Sequence, residues 1–532
     1  SLVDQVLRLD AYDPEGNFIA GNLYRALGQT INAREAFGWS ARAIAFRAVS
    51  YIALAELALL SGDYAESERY TRLAKDYDRN SLSADRLRAI LARVRDNQAE
   101  WEGVLSSILE LDPLHHFVEA ERYLAGASTG ENLLGKLRGE YPEQELLELA
   151  IDYVQVGRRD DAVAILKLGD TALDHSMLRV WWAYLSEDLG VLNGGADPRF
   201  VFPYRGESVP VLEWAAKGDS HWSWTYLLGL NLWARDRVDE ADELFAGLEN
   251  SPDYGPFYVS RALLASELDT GSSRTNPESD FRRAIELAPD LRAVRIPFIH
   301  FLHSVDRWED ALIVSRDARR LFPEDFDFDL LHVIALNETG RFEASLSILN
   351  EIEVLPSENS GVSHQVFVEA HLLAGLESLD QNNPGVALDH FDTAMTWPEH
   401  LGLGQPYDPE ERLEQYLRGV ALRIDGNESE ARLAFQEVIA ATPSDVLEGR
   451  SGASRSDLLV IAALDALGRA DQIHLVSSGD EGPLAQIIRR VRSASVAGRD
   501  VRQALRQASP SAANLFSDIT GRLIYRALDL TR

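Results

Sequence analysis

The sequence predicts an all-α fold of stacked helix pairs, a helical-repeat solenoid with loop insertions between some pairs and a helical cap at the C-terminal end. Three observations lead there. Apolar residues recur at helical rather than strand spacing along most of the chain, glycines punctuate them, and small residues return at fixed offsets from large aromatic ones. About 10–12 such pairs would fill the chain.

The clearest unit is "LEQYLRGVALRIDGNESEARLAFQEVIAATPSD". Its first half places Leu413, Tyr416, Leu417, Val420 and Ile424 on one helical face, and Gly426 stops that helix. A second helix carries Ala431, Phe435 and Val438 inward and ends before Pro443. The spacing from Gly419 through Gly426, Ala431 and Phe435 to Pro443 is that of a tetratricopeptide repeat. Small Gly419 and Ala431 allow two antiparallel helices to approach closely, and Phe435 fills the gap to the next pair.

The register returns along the chain. Gly21, Tyr24, Gly28, Ala33 and Phe37 form one unit, and Gly62, Tyr64 and Ala74 mark a degenerate second. Trp101, Leu105, Ile108 and Pro113 fit a third, with Tyr153, Gly157, Ala162 and Leu166 in a later one. Gly229, Ala241 and Phe245 follow, then Phe281, Ala284 and Pro289, then Trp308, Ala311, Ala318 and Pro323. Gly340 with Phe342, and Gly375 with Ala387, Phe391 and Ala394, precede the clearest unit, and Gly468 begins a last, weak one.

The units are unevenly spaced, so loops are inserted: Gly190 to Pro210, "DTGSSRTNPE" from Asp269, "PSENSG" from Pro356, and "PEHLGLGQPYDP" from Pro398. Insertions in a solenoid gather on one side, which makes these four the places for a specific site. The expected organisation is therefore repeats over 1–189, an aromatic and proline-rich insertion over 190–215, further repeats over 216–475, and a basic helical cap over 476–532. In that cap, Leu484, Ile487, Ile488 and Val491 make one stripe, and Phe516, Ile519 and Leu523 another.

Charge narrows the function classes. The formal net charge is −33, which argues against nonspecific nucleic-acid or anionic-membrane partners. It is unevenly placed: from Glu481 to Arg532 nine Arg face four acidic residues, so the tail carries about +5 and could pair with the acidic body. With no cysteine, disulfides and thiolate sites are excluded and the redox compartment is unread. No signal or spanning segment is evident, so the chain reads as soluble, with the cytoplasm favoured. It starts "SLVDQV" without Met, which fits a fragment of a longer protein.

Motifs of chemistry are weak. "GENLLGKL" has phosphate-loop spacing at Gly130, Gly135 and Lys136, but Leu137 stands where magnesium needs a hydroxyl, and no strand precedes it. His300 and His303 lie three apart, and His115 and His116 are adjacent; both pairs read as packed or surface histidines rather than a metal site. Ser208 sits in "RGESVP", with proline in place of the final glycine of a nucleophile elbow. No cofactor, metal or catalytic set is expected.

The unusual feature is aromatic. Six of the ten tryptophans, Trp181, Trp182, Trp214, Trp222, Trp224 and Trp233, fall between residues 181 and 233, in and around "FVFPYRGESVPVLEWA". Such rings suit inter-repeat packing, a domain interface or a sugar-binding platform. Trp181 and Trp182, being adjacent, cannot both face one core.

"LRLDAYDPEGNFIAGNLYRALGQTINAREAFGWSARA", "LELDPLHHFVEAERYL", "FVFPYRGESVPVLEWA" and "WPEHLGLGQ" together resemble the tetratricopeptide half of a family of large bacterial proteins. Their N-terminal half is a β-rich domain similar to the supersandwich domains of carbohydrate-active enzymes. The resemblance spans residues 1 to 475. It implies a non-catalytic scaffold that meets the β-rich half through Tyr204, Arg205 and Trp214, with Trp181, Trp182, Trp222 and Trp224 as anchors. Pro203 and Pro210 would hold the insertion extended. Two other readings stand beside it: insertion aromatics and carboxylates that help build a glycoside hydrolase site, and a free-standing adaptor for peptide tails. A second copy of the chain is a further partner class.

Overall fold

A computed structural model describes residues 2–192, 194–268, 273–356, 361–442, 454–476, 483–500, 503–504 and 518–530. Among them the regular structure is helical throughout, with no strand. The chain divides into two compact units, Ser1–Pro277 and Glu278–Arg532, so the boundary falls inside the span 216–475.

Among the described residues ten helical pairs share one construction, five in each unit, the last closing with the short 3-10 segment Ala470–Leu475. In unit 1 the first helices are Pro14–Ala26, Ile44–Leu60, Leu82–Val94, Pro142–Gln155 and Trp222–Trp233. In unit 2 they are Arg292–Ser304, Phe326–Glu338, Gly361–Asp380, Arg412–Ile424 and Asp457–Ala466. Each ends in a residue with left-handed backbone: Gly28, Gly62, Asp96, Gly157 and Asp236, then Asp306, Gly340, Asn382, Gly426 and Gly468. The next residue then donates its N–H back across the turn. Gln29 to Tyr24, Arg307 to Leu302 and Asn427 to Leu422 are examples, at 2.8 to 2.9 Å. This closure satisfies carbonyls that the helix end would leave open and reverses the chain for the second helix. Gly28, Gly62 and Asp96 are 34 residues apart, as are Asp306 and Gly340.

Within four pairs the first helix presents a glycine to a phenylalanine sixteen positions on: Gly21 to Phe37, Gly229 to Phe245, Gly375 to Phe391 and Gly419 to Phe435. All four rings are fully buried, as are Ala33, Ala241, Ala387 and Ala431. Tyr24 packs half-buried against the Phe37 core. The fold is thus all-α and of the tetratricopeptide helical-repeat type.

Unit 1 also buries charge. Glu121, with no exposed surface, accepts from Arg93 (2.8 and 3.0 Å), Trp101 Nε1 (3.0 Å) and Tyr153 Oη (2.7 Å). Arg93 continues to Asp161 at 2.9 Å, and Arg158 closes on the same carboxylate at 2.8 Å. Burial works to raise Asp161, yet these two guanidinium groups hold it below its ordinary value. Every partner is satisfied within the cluster, so its role is to pin helices.

The structure corrects several expectations. Ile424 is 46% exposed at the last position of its helix, Arg412–Ile424. Gly468 closes the turn after Asp457–Ala466 rather than beginning a unit. Pro210 does not extend the insertion but lies in the first turn of helix Ser208–Gly218, where a missing N–H costs nothing. Residues 269–272, 357–360, Pro443 and Phe516 lie outside the described residues.

Candidate binding faces

The insertion between residues 190 and 208 is tied down at several points. Ser176 Oγ donates to the Asp197 carbonyl (2.9 Å), and the Ala196 N–H donates to Ser223 Oγ (2.7 Å). Asn231 Nδ2 donates to the Arg205 carbonyl (2.9 Å). Gly195 is left-handed, and a Cβ there would strike the His221 ring. Between these ties the chain alternates: Val201 and Pro203 face in, while Phe200, Phe202 and Tyr204 are 84%, 61% and 53% exposed.

The tryptophans divide by environment. Trp181 and Trp224 are buried, Trp181 donating to the buried Ser208 Oγ at 3.0 Å. They are core residues rather than surface anchors, Trp224 donating its Nε1–H to Asp219 at 3.3 Å. Trp182 is half-buried with Lys167 over its ring at 5.2 Å. Trp214 meets Tyr184 edge-on, and Trp222 stacks on Tyr254. Arg205 lies over Tyr204 at 5.4 Å and reaches Glu148 at 3.4 Å. The outward face thus consists of Tyr204 with Phe200 and Phe202, two rings the spacing argument had not singled out.

"GENLLGKL" forms the short helix Gly130–Leu134, with Gly130 packed on Leu168, so no strand feeds a phosphate-binding turn. His303 is pushed down to about 4 by burial and then by His300, which leaves it neutral. Among the described residues no group of three or more potential ligands gathers around a metal position. No described helix is long and apolar enough to cross a membrane.

Unit 2 carries a second face. Helix Ile519–Asp529 packs on Gly361–Asp380, Arg412–Ile424 and Asp457–Ala466, each the first helix of its pair. Leu523, Ile524, Ala527 and Leu528 are buried in the common core. Asp518 caps the helix through the Gly521 N–H (2.7 Å) and pairs with Arg455 at 2.5 Å. Arg522 pairs with Glu338, and Arg526 with Asp380. The basic tail therefore does meet the acidic body, at named carboxylates.

Beside this helix lies a cavity of about 300 Å³ walled by Trp397, Glu369, Glu414 and the loop Pro406 to Glu411, with Thr520 and Leu523 on its helix side. That loop belongs to the insertion beginning at Pro398. The insertion is anchored: Val354 N–H donates to the His400 carbonyl (2.8 Å), and Ser363 Oγ donates to the Leu401 carbonyl (2.6 Å). Gly402 is left-handed, with Val354 O 2.6 Å from where a Cβ would stand. His364 stacks flat on Trp397 at 3.5 Å and bonds the Thr396 carbonyl through Nε2. Burial lowers His364, so its ring is neutral.

Burial pushes Glu369 up to about 7 and Glu414 up to about 8. Glu369 accepts from Gln365, while the Oε2 of Glu414 is buried without a hydrogen-bond partner. The sequence argument missed these residues. The available signal was a glutamate inside an apolar helical stripe, as in "VFVEAHLLAG" and "RLEQYLRG".

No protein-family model matches the chain, and no curated protein matches it. Among solved structures it is similar to yeast Tom70, at 12% identity over 96% of this chain and 98% of that one, with a TM-score of 0.29. It is similar to the P58(IPK) TPR domain at 14% identity, covering 88% and 99%, with a TM-score of 0.25. A tetratricopeptide repeat protein from Parabacteroides merdae gives 14% identity, 52% and 98% coverage, and a TM-score of 0.25. The fold assignment itself rests on the ten pairs, their left-handed turns and the glycine–phenylalanine contacts.

Proposed function

We propose that the protein is a helical-repeat interaction module whose second unit receives a basic amphipathic helix along the first helices of its pairs. The observation that carries this reading is the seat of Ile519–Asp529, with apolar residues against the core and Arg522 and Arg526 on Glu338 and Asp380. Burying a large aliphatic side chain is worth roughly 1.5–3 kcal/mol. An exposed ion pair is worth only about 0–1 kcal/mol. Leu523, Ile524 and Leu528 thus supply most of the affinity, and the arginines set register and polarity.

The test empties the face in the full chain with Leu523→Asp and Ile524→Asp, then adds a labelled peptide of residues 518–530. The peptide should bind this variant and not the unmodified chain, whose face is filled. A peptide with Arg522→Glu and Arg526→Glu should bind more weakly, the difference shrinking in high salt. No binding of the unmodified peptide to the emptied face would sink the reading.

A second reading concerns unit 1. The outward rings of Phe200, Phe202 and Tyr204 offer an apolar strip on an anchored loop, which suits a partner domain such as the β-rich, carbohydrate-enzyme-like half implied by the sequence resemblance. Direct sugar contact there would quench or shift tryptophan fluorescence across a glycan panel, and a silent panel would leave the protein-partner form of this reading.

A further inference from the structure

We propose that the cavity walled by Trp397, Glu369 and Glu414 is a binding site for an organic cation, a guanidinium or primary ammonium on an aliphatic stem. The inference concerns the cavity with the last helix in its seat, where Thr520 and Leu523 close one side, and it does not depend on a partner helix taking that seat.

Charge in the wall comes first. Among the described residues five carboxyl groups line it, those of Glu369, Asp408, Glu410, Glu411 and Glu414, and no Lys or Arg does. Of the five, only Glu410 makes an ion pair among the described residues, with Arg412. The groups acting on Glu369 from neighbouring elements are Glu338, Asp518 and Arg522; those acting on Glu414 are Glu410 and Glu411. Across all elements packed here, negative charge exceeds positive.

An acidic wall alone would be a solvated surface. Glu414 makes it more than that: the residue is only 6% exposed, lines the cavity, and keeps Oε2 without any donor. A buried acceptor without a donor loses its hydration and gains nothing in return. Burial answers that cost by protonating the carboxyl, and a bound cation would answer it by replacing the proton. Val368, Leu372, Leu413 and Leu523 supply apolar wall for a stem, with the Trp397 ring beside them. The size matches the lower end of small-molecule sites, about 300 Å³.

The exchange balances simply. The cation enters, one proton shared between the Glu369 and Glu414 carboxyls passes to the buffer, and the carboxylate so formed takes the single positive charge while the other carboxyl keeps its proton. No covalent bond changes.

The test uses the full chain with n-butylguanidinium and n-butylammonium as probes and n-butylurea as the neutral isostere. Ligand-observed NMR should show both cations binding at least tenfold more tightly than the urea. Calorimetry at pH 7 in two buffers of different ionisation enthalpy should show proton release. The Glu369→Gln, Glu414→Gln double variant keeps shape and resembles the protonated form, so it should fold, and it should lose both the preference and the proton release. Three outcomes overturn the assignment: no binding of either cation, equal binding of the urea, or cation binding that survives unchanged in the double variant.

Discussion

The Cβ that Gly419 lacks would stand 2.7 Å from the ring of Phe435, which is itself fully buried. Helix propensity alone favours alanine over glycine by about 1 kcal/mol. Overpacking a tight core costs about 1–3 kcal/mol, and a ring with no exposed surface cannot swing aside. Gly419→Ala should therefore lower the melting temperature. Gly103, inside helix Gln98–Leu111 with nothing within 4 Å of its missing Cβ, should show the opposite sign on the same change. A thermal melt of the two variants decides whether contact or propensity governs the repeat glycines.

Glu121 poses the same question for charge. Replacing it with Leu strands Tyr153 Oη and Trp101 Nε1 and leaves Arg93 with Asp161 alone. Breaking a buried pair from one side costs about 3–5 kcal/mol. Glu121→Gln, which keeps an acceptor, should cost less. Hydrogen exchange on helix Leu82–Val94 reads the loss; equal protection in Glu121→Leu and the unmodified chain would show that the network contributes nothing.

Stability of unit 2 should fall between pH 6.5 and pH 8. Glu369 and Glu414 have native values raised to about 7 and about 8, so the folded state binds more protons than the unfolded one above pH 4.5. Their contribution is complete below the unfolded value and lost as pH rises through the native values; it is on the order of 3 kcal/mol for Glu369 and 5 kcal/mol for Glu414. His303, His332 and His371, lowered by burial to about 4, act oppositely, since their stabilisation is lost as pH falls from 6.5. The two sets offset each other in acid, which leaves the carboxyls alone above pH 6.5. Exchange protection of helix Arg412–Ile424 should decline across that window and stay level in the Glu369→Gln, Glu414→Gln variant.

The repeat was legible because its determinants are local or fixed in offset. A glycine two residues past a helical stripe, and a phenylalanine sixteen positions after a small residue, need no knowledge of the rest of the chain. The same rule nevertheless overlooked Asp96, Asp236, Asp306 and Asn382, which take the left-handed turn that Gly28 or Gly426 takes elsewhere. Asp and Asn tolerate that backbone at modest cost, and nothing in composition separates them from ordinary loop residues.

The sequence alone thus determined the helix pairs, their glycine and aromatic contacts, and the charge imbalance that brings the tail to the body. Tertiary structure alone decided that Trp181 and Trp224 are interior, that Phe200 and Phe202 face outward, and that Glu369 and Glu414 share one cavity with Trp397. The physical reason is range. Periodicity records which face of one helix is apolar, whereas a cavity records which faces of distant segments meet, and the energy that shifts a carboxyl's protonation exists only once they have.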